Sequence, residues 1–236
     1  MVREKAELEK QGKTKANGRQ NQLKIWWKMW RRRENLFNQL DSKQRYIACS
    51  RVTQHPIFEF ISSEINPNDA LMAFCFEDYY SYGVISSDIH IAWFKARCST
   101  LGEGLRYTAN TVWDTFPWPQ SPSEEQIEKV AEAARKLHET RTQYLKEYNI
   151  TLRDVYRLLE KPGKNVIKDL YRALDRAVTK AYGFDPESDV LRQLLDLNLA
   201  AAERESKKQE VQAPGLPAWV KNPGRFITDA CVRFKG

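Results

Sequence analysis

The residues best suited to chemistry in this chain are cations set beside turns. Arg106 follows the glycine-flanked loop Leu101-Gly102-Glu103-Gly104-Leu105 and opens an extended run. Arginine offers a two-pronged donor that matches guanine in a major groove, and a glutamate such as Glu103 can accept from cytosine or fix the arginine. Lys95 and Arg97 leave a predicted helix on its polar side, placed to meet phosphate. Arg45 and Arg51 flank an alternating strand and suit the same role. Arg31, Arg32 and Arg33 form the strongest phosphate-binding run outside the loop. Each of these, taken singly, also fits an ordinary surface charge. Trp26, Trp27 and Trp30 share a helix face, which points to core packing before base stacking.

The charge distribution supports a polyanion as partner. The formal net charge of +7 is uneven: residues 1–51 carry a net of +9 and the remainder −2. A clustered basic segment is what phosphate binding requires, because each neutralised phosphate releases condensed counterions. A solvated, disordered arm that keeps the chain soluble is the plainer alternative. No apolar run reaches the roughly 18 residues of a membrane span, and the charged start does not resemble a secretory signal. We therefore expect a cytoplasmic protein.

Metal and hydrolytic chemistry find little support. Cys49, Cys75, Cys98 and Cys231 form no Cys-x-x-Cys pair, and His55, His90 and His138 are equally scattered, whereas structural zinc needs ligands paired at short spacing. Reduced, buried thiols are the expectation. Glu77-Asp78 reads as a polar turn rather than a metal site. Asp114, Ser87 and His90 do not make a triad, since neither serine sits in a nucleophile elbow.

The elements that would position these residues follow from local pattern. Met1–Gln20 lacks apolar periodicity and reads as an arm. A helix is predicted over Leu23–Leu40. Strands are predicted at Arg45–Val52, His55–Ile61, Ala70–Phe76, Tyr79–Ser86 and Arg106–Phe116, with Phe116-Pro117-Trp118-Pro119 closing the last because proline cannot donate to a ladder. Ser87 is placed to cap a helix over Asp88–Cys98 with Ile89, Trp93 and Ala96 inward. From Ser121 the pattern turns helical. Ser121-Pro122-Ser123-Glu124 reads as a capping box, Thr151 with Asp154 starts a short helix, and Val166–Tyr182 stops at Gly183. Asp185-Pro186 opens a last helix with the stripe Val190, Leu191, Leu194, Leu195 and Asn198. The reading is α+β: a basic disordered arm at 1–22, a mixed α/β domain at 23–120, an all-helical domain at 121–205, and linker and tail at 206–236.

Two stretches carry a resemblance to a known family. Ile85–Trp93 (ISSDIHIAW) precedes Arg106–Pro119 (RYTANTVWDTFPWP). Together they resemble the target recognition domain of the MmeI-like restriction–modification DNA methyltransferases. Asp169–Phe184 and Leu194–Asn198 resemble the helical segment that closes those enzymes, so the resemblance spans roughly Lys24–Ala202. It implies that this part grips duplex DNA and chooses the site, with Arg106 and its loop foremost and Ser87 and His90 matching the family motif. A helix cap and a buried, hydrogen-bonded histidine remain the alternatives for those last two. It also implies that the parent enzyme methylates adenine from S-adenosylmethionine. The motifs for that chemistry are missing from this sequence. Gly102-Glu103-Gly104 does not follow the β–α order of the cofactor fold. Asn66-Pro67-Asn68-Asp69 lacks the second proline and aromatic that hold a flipped base, and Phe116-Pro117-Trp118-Pro119 lacks the polar acceptor. We assign no catalytic residue and no cofactor to this chain, and expect double-stranded DNA and a separate catalytic methyltransferase polypeptide as partners. The methionine start inside the resembling region leads us to expect a split subunit or the remnant of a disrupted gene. A free-standing nucleic-acid-binding protein is the alternative.

Overall fold

The computed structural model describes residues 7–8, 10–12, 33–102 and 104–234. The Trp26, Trp27 and Trp30 face, Arg31, Arg32 and Glu103 lie outside the described residues. The chain divides into two compact units, residues 1–39 and 40–236. Helix α1 runs over Glu34–Asp41. Within 40–236 the architecture is α+β, as the sequence suggests.

Three antiparallel strands form a sheet in the order β2-β1-β3, with β1 at Arg45–Ser50, β2 at Glu59–Ser62 and β3 at Leu71–Phe74. The central strand pairs Ile47 with Phe60 on one side and with Phe74 on the other. Its residues Arg45 to Cys49 are buried throughout, as a strand covered on both faces demands. The outer edge of β2 is not left open. Val232 lies parallel to Ile61, donating to the Phe60 carbonyl at 2.8 Å and accepting from Ser62 at 2.9 Å. The segment read from sequence as a tail thus completes the sheet.

Tyr79–Ser86 is helix α2, not a strand. All eight residues are buried, so the run carries no amphipathic period to distinguish it from a strand. Its start is fixed by Asp78, whose carboxylate accepts from the Ser81 N–H at 2.7 Å and the Ser81 hydroxyl at 2.8 Å. Helices α4 (Glu124–Glu147) and α6 (Val166–Tyr182) pack around α2. A Cβ on Gly83 would stand 2.8 Å from Val130 Cγ1 and 3.1 Å from the Ala134 Cβ, so glycine sets how closely α2 meets α4. Helix α3 spans Asp88–Arg97, α5 Leu152–Glu160 and α7 Val190–Ser206.

Local signals hold for several ends. Thr151 and Asp154 form the expected capping box, and Gly183 stops α6 at φ 69°. Others shift. The cap of α4 is Ser123 with Gln126, not Ser121, and α7 is capped by Asp189, while Asp185 makes its own turn with Glu187 and Ser188. Only Leu194 of the α7 stripe is fully buried, and Leu191 and Leu195 stay exposed. One core runs from Ile47 to Phe226, with residues from both sides of position 120.

Glu59 joins the sheet to α4. It accepts from His138 Nε2 at 2.5 Å and Arg141 Nη2 at 2.8 Å. Burial opposes its charge, yet the Arg141 guanidinium and the His138 hydrogen bond hold its carboxyl below the usual range. Arg141 also donates to the Phe58 carbonyl at 2.9 Å.

Candidate nucleic-acid interface

The strand that ends on Arg106 is one half of a hairpin. Strands β4 (Ser99–Leu101) and β5 (Gly104–Arg106) pair antiparallel, with Ser99 opposite Arg106 and Leu101 opposite Gly104. Gly102 turns the tip at φ +60°, a conformation that suits tight hairpins. Beyond β1 the chain continues alongside β5: Val52 bridges to Arg106, Thr53 donates to Leu105 at 2.9 Å, and Tyr107 donates to Arg51 at 2.8 Å. A Cβ on Gly104 would lie 2.6 Å from Val52 Cγ1, so glycine lets Val52 lie close against the strand.

Burial then sorts the side chains. Arg106, its partner Ser99, Leu101 and Val52 are exposed, while the next residue, Tyr107, is 1% exposed. Tyr107 anchors the ribbon. Its ring stacks on Phe94 at 5.4 Å, and its hydroxyl lies 2.9 Å from His90 Nε2. His90 Nδ1 lies 2.7 Å from the Ile85 carbonyl. Burial pushes the His90 imidazole down to about 4, so it is neutral at physiological pH. Its Nδ1–H therefore donates to Ile85, leaving Nε2 to accept from Tyr107. His90 fixes the strand that carries Arg106, and does not itself face a partner.

The expected strand Arg106–Phe116 ends early. After Tyr107 the chain makes one π-type turn, Ala109–Trp113, closed by the Asp114 N–H on the Ala109 carbonyl at 2.8 Å. Threonines drive it. The Thr108 and Thr111 hydroxyls bond each other, Thr111 donates to the Arg97 carbonyl at 2.9 Å, and Thr115 donates to the Thr111 carbonyl at 2.7 Å. The exit prolines hold as a stop: Trp118 is buried against Phe76 and Trp113, and Tyr182 of α6 donates to the Pro117 carbonyl at 2.9 Å.

The remaining predicted residues separate cleanly. Lys95 and Arg97 are exposed in the last turn of α3, with the Arg97 guanidinium 5.8 Å from the Trp93 ring. Arg97 lies two residues before Ser99, so it belongs to the same end of the ribbon as Arg106. Arg33 is exposed ahead of α1. Arg51 is half-buried, and its Nη2 donates to the Leu71 carbonyl at 3.3 Å, which ties it to the sheet. Arg45 is a correction. It is fully buried, donating to the carbonyls of Glu77 (2.6 Å) and Ala230 (2.6 Å), with its guanidinium 3.6 Å over the Phe60 ring. No phosphate can reach it there. Ser87 is another: it is fully buried, and its hydroxyl donates to the Val84 carbonyl at 2.7 Å instead of capping α3. Sequence reasoning missed Tyr107 as the anchor and Ser99, Leu101 and Val52 as neighbours of Arg106. The alternation through the glycine loop was the available signal.

A two-stranded ribbon with an outward arginine has the dimensions to enter a major groove. Glu77 and Asp78 are used structurally, by Lys43, Gln44 and Ser81. Among the described residues no group of three His, Cys, Asp or Glu stands ready for a metal ion, and no helix is long and apolar enough to cross a membrane.

Residues 6–120 match the family described as the MmeI target recognition domain. The chain contains an MmeI-type target recognition domain. That domain ends on the Trp118-Pro119 exit and includes the whole β4–β5 ribbon. A stretch of 130 residues is 28% identical to DNA methyltransferase A of Bacillus subtilis (strain 168), covering 54% of this chain and 14% of that protein. The fold is shared with the type IIL restriction–modification enzyme MmeI, solved in complex with DNA. The TM-score is 0.60 at 23% identity, covering 68% of this chain and 22% of that one. The chain thus spans less than a quarter of the length of either relative.

Proposed function

We propose that this chain supplies the site recognition of an adenine-specific, S-adenosylmethionine-dependent DNA methyltransferase of the restriction–modification kind. Its partner is double-stranded DNA, and a separate stretch of methyltransferase polypeptide carries the cofactor and the chemistry. The observation that carries this reading is the β4–β5 ribbon. Within a recognition domain, a paired hairpin presents Arg106 outward on a strand anchored through Tyr107 to a neutral, buried His90. Supporting it, one relative is named a DNA methyltransferase and the solved enzyme was captured on DNA.

The roles divide by geometry. Arg106 is the reader, since its exposed guanidinium can donate two bonds to one guanine. Lys95 and Arg97, together with Arg33 and the basic N-terminal segment, supply phosphate contacts that fix register without reading sequence. The experiment is duplex binding as a function of salt. Log affinity should fall by about 0.9 per phosphate contact for each log unit of salt. Replacing Lys95 and Arg97 with alanine should lower that slope by about two. A salt-independent affinity, or preference for an acidic protein over duplex DNA, would reject the reading.

A further inference from the structure

A cleft of about 320 Å3 lies between the start of α3 and helices α5 and α6, within the size range of small-ligand sites. Two acids meet in it. The Asp88 N–H donates to Asp175 Oδ1 at 2.9 Å, which sets the two acids side by side. Burial first, and the negative charge of Asp88 second, push the Asp175 carboxyl up to about 7. The pair therefore retains a proton near neutrality, which sets a donor beside an acceptor. Every nucleobase presents such an edge.

The other walls suit the rest of a nucleotide. Tyr156 and Tyr171 bring aromatic rings to the cleft. Lys168 and Arg172 bring cations one helical turn from each other on α6. Arg172 is largely exposed and, among the described residues, meets Asp169 on its own helix at 3.3 Å, so it is available to a ligand. The buried Ser86 also lines the cleft.

We propose that this cleft binds a nucleoside monophosphate, with its base edge on the Asp88–Asp175 pair, its ring beside the two tyrosines and its phosphate on Lys168 and Arg172. The site is separate from the β4–β5 ribbon and does not rest on its reading of DNA.

Calorimetric titration of the whole chain with AMP, adenosine and ribose 5-phosphate tests it. AMP should bind saturably at one site, and the two fragments at least tenfold more weakly. Asp175→Leu should weaken AMP at least tenfold, whereas Asp175→Asn, which keeps a donor and an acceptor, should stay within about threefold. Arg172→Ala should abolish the advantage of AMP over adenosine. Its exposed side chain makes it the deciding variant if Asp175→Leu fails a circular dichroism check of folding. Competition by an oligodeoxyadenylate would assign the ligand to a strand, and its absence to a free mononucleotide; both outcomes support the site. No saturable AMP binding, or AMP binding unchanged in Arg172→Ala and in any folded Asp175→Leu, would overturn it.

Discussion

Replacing Glu59 with alanine removes the group that joins the sheet to α4. Arg141 is 1% exposed and pairs with Glu59 at 2.8 Å, and His138, 3% exposed, meets the other carboxylate oxygen at 2.5 Å. Losing one partner of a buried pair typically costs about 3–5 kcal/mol, because the other charge stays buried. Arg141 would keep its 2.9 Å bond to the Phe58 carbonyl, which argues for the lower end, about 3 kcal/mol. For a chain of this length that is roughly 6–12 °C in melting temperature. The assay is urea and thermal denaturation of the parent, Glu59→Ala, Arg141→Met and the double variant. The double variant should be more stable than Glu59→Ala alone, since no unpaired guanidinium remains. Acid should act similarly. Glu59 is held below the usual carboxylate range, so its contribution is present above about pH 4.5 and is lost as pH falls through its folded value. A Glu59→Ala variant within about 1 kcal/mol of the parent, or strict additivity in the double variant, would refute the clamp.

Three further outcomes follow from the same structure. His90 is held near 4 against an ordinary 6.5, so about 3 kcal/mol of stability is present above pH 6.5 and is lost as pH falls toward 4; His90→Gln should flatten that part of a stability–pH profile. Gly83→Ala should cost about 1–3 kcal/mol in denaturant melts, because its methyl meets Val130 and Ala134, and a neutral result would mean that α2 and α4 separate freely. Asp175, raised to about 7, favours the folded state below its unfolded value of 3.8, and this advantage fades as pH rises through 7. Asp175→Asn should therefore gain on the order of 2 kcal/mol over the parent at pH 8, half of the roughly 4 a three-unit shift represents, since water still reaches part of the Asp175 carboxyl and screens it; equal melting temperatures at pH 8 would contradict it.

Much of the scaffold was legible because its signals are local. Thr151 with Asp154, Gly183 and the Trp118-Pro119 stop each act through their own neighbours. The errors come from tertiary context. Tyr79–Ser86 is apolar on every side, so burial hides the period that separates helix from strand. Thr108, Thr111 and Thr115 have strand propensity, but their hydroxyls bond a turn and a neighbouring helix instead. At the site, composition found the right segment and blurred the roles. Arg106 and Arg45 look alike in sequence, and only the fold places one outside and the other over the Phe60 ring. His90 and Ser87 were legible as special residues. Their work is internal, in holding Tyr107 and the end of α2.

The most direct test of the central claim is selection of duplexes from a randomised pool by the parent chain and by Arg106→Ala. A bidentate arginine–guanine pair contributes about 1–3 kcal/mol of discrimination, roughly tenfold to a hundredfold. The account predicts an enriched motif for the parent, the same motif relaxed at one base pair for Arg106→Ala, and an unchanged melting temperature. No enriched motif, or an identical motif from the variant, would contradict it.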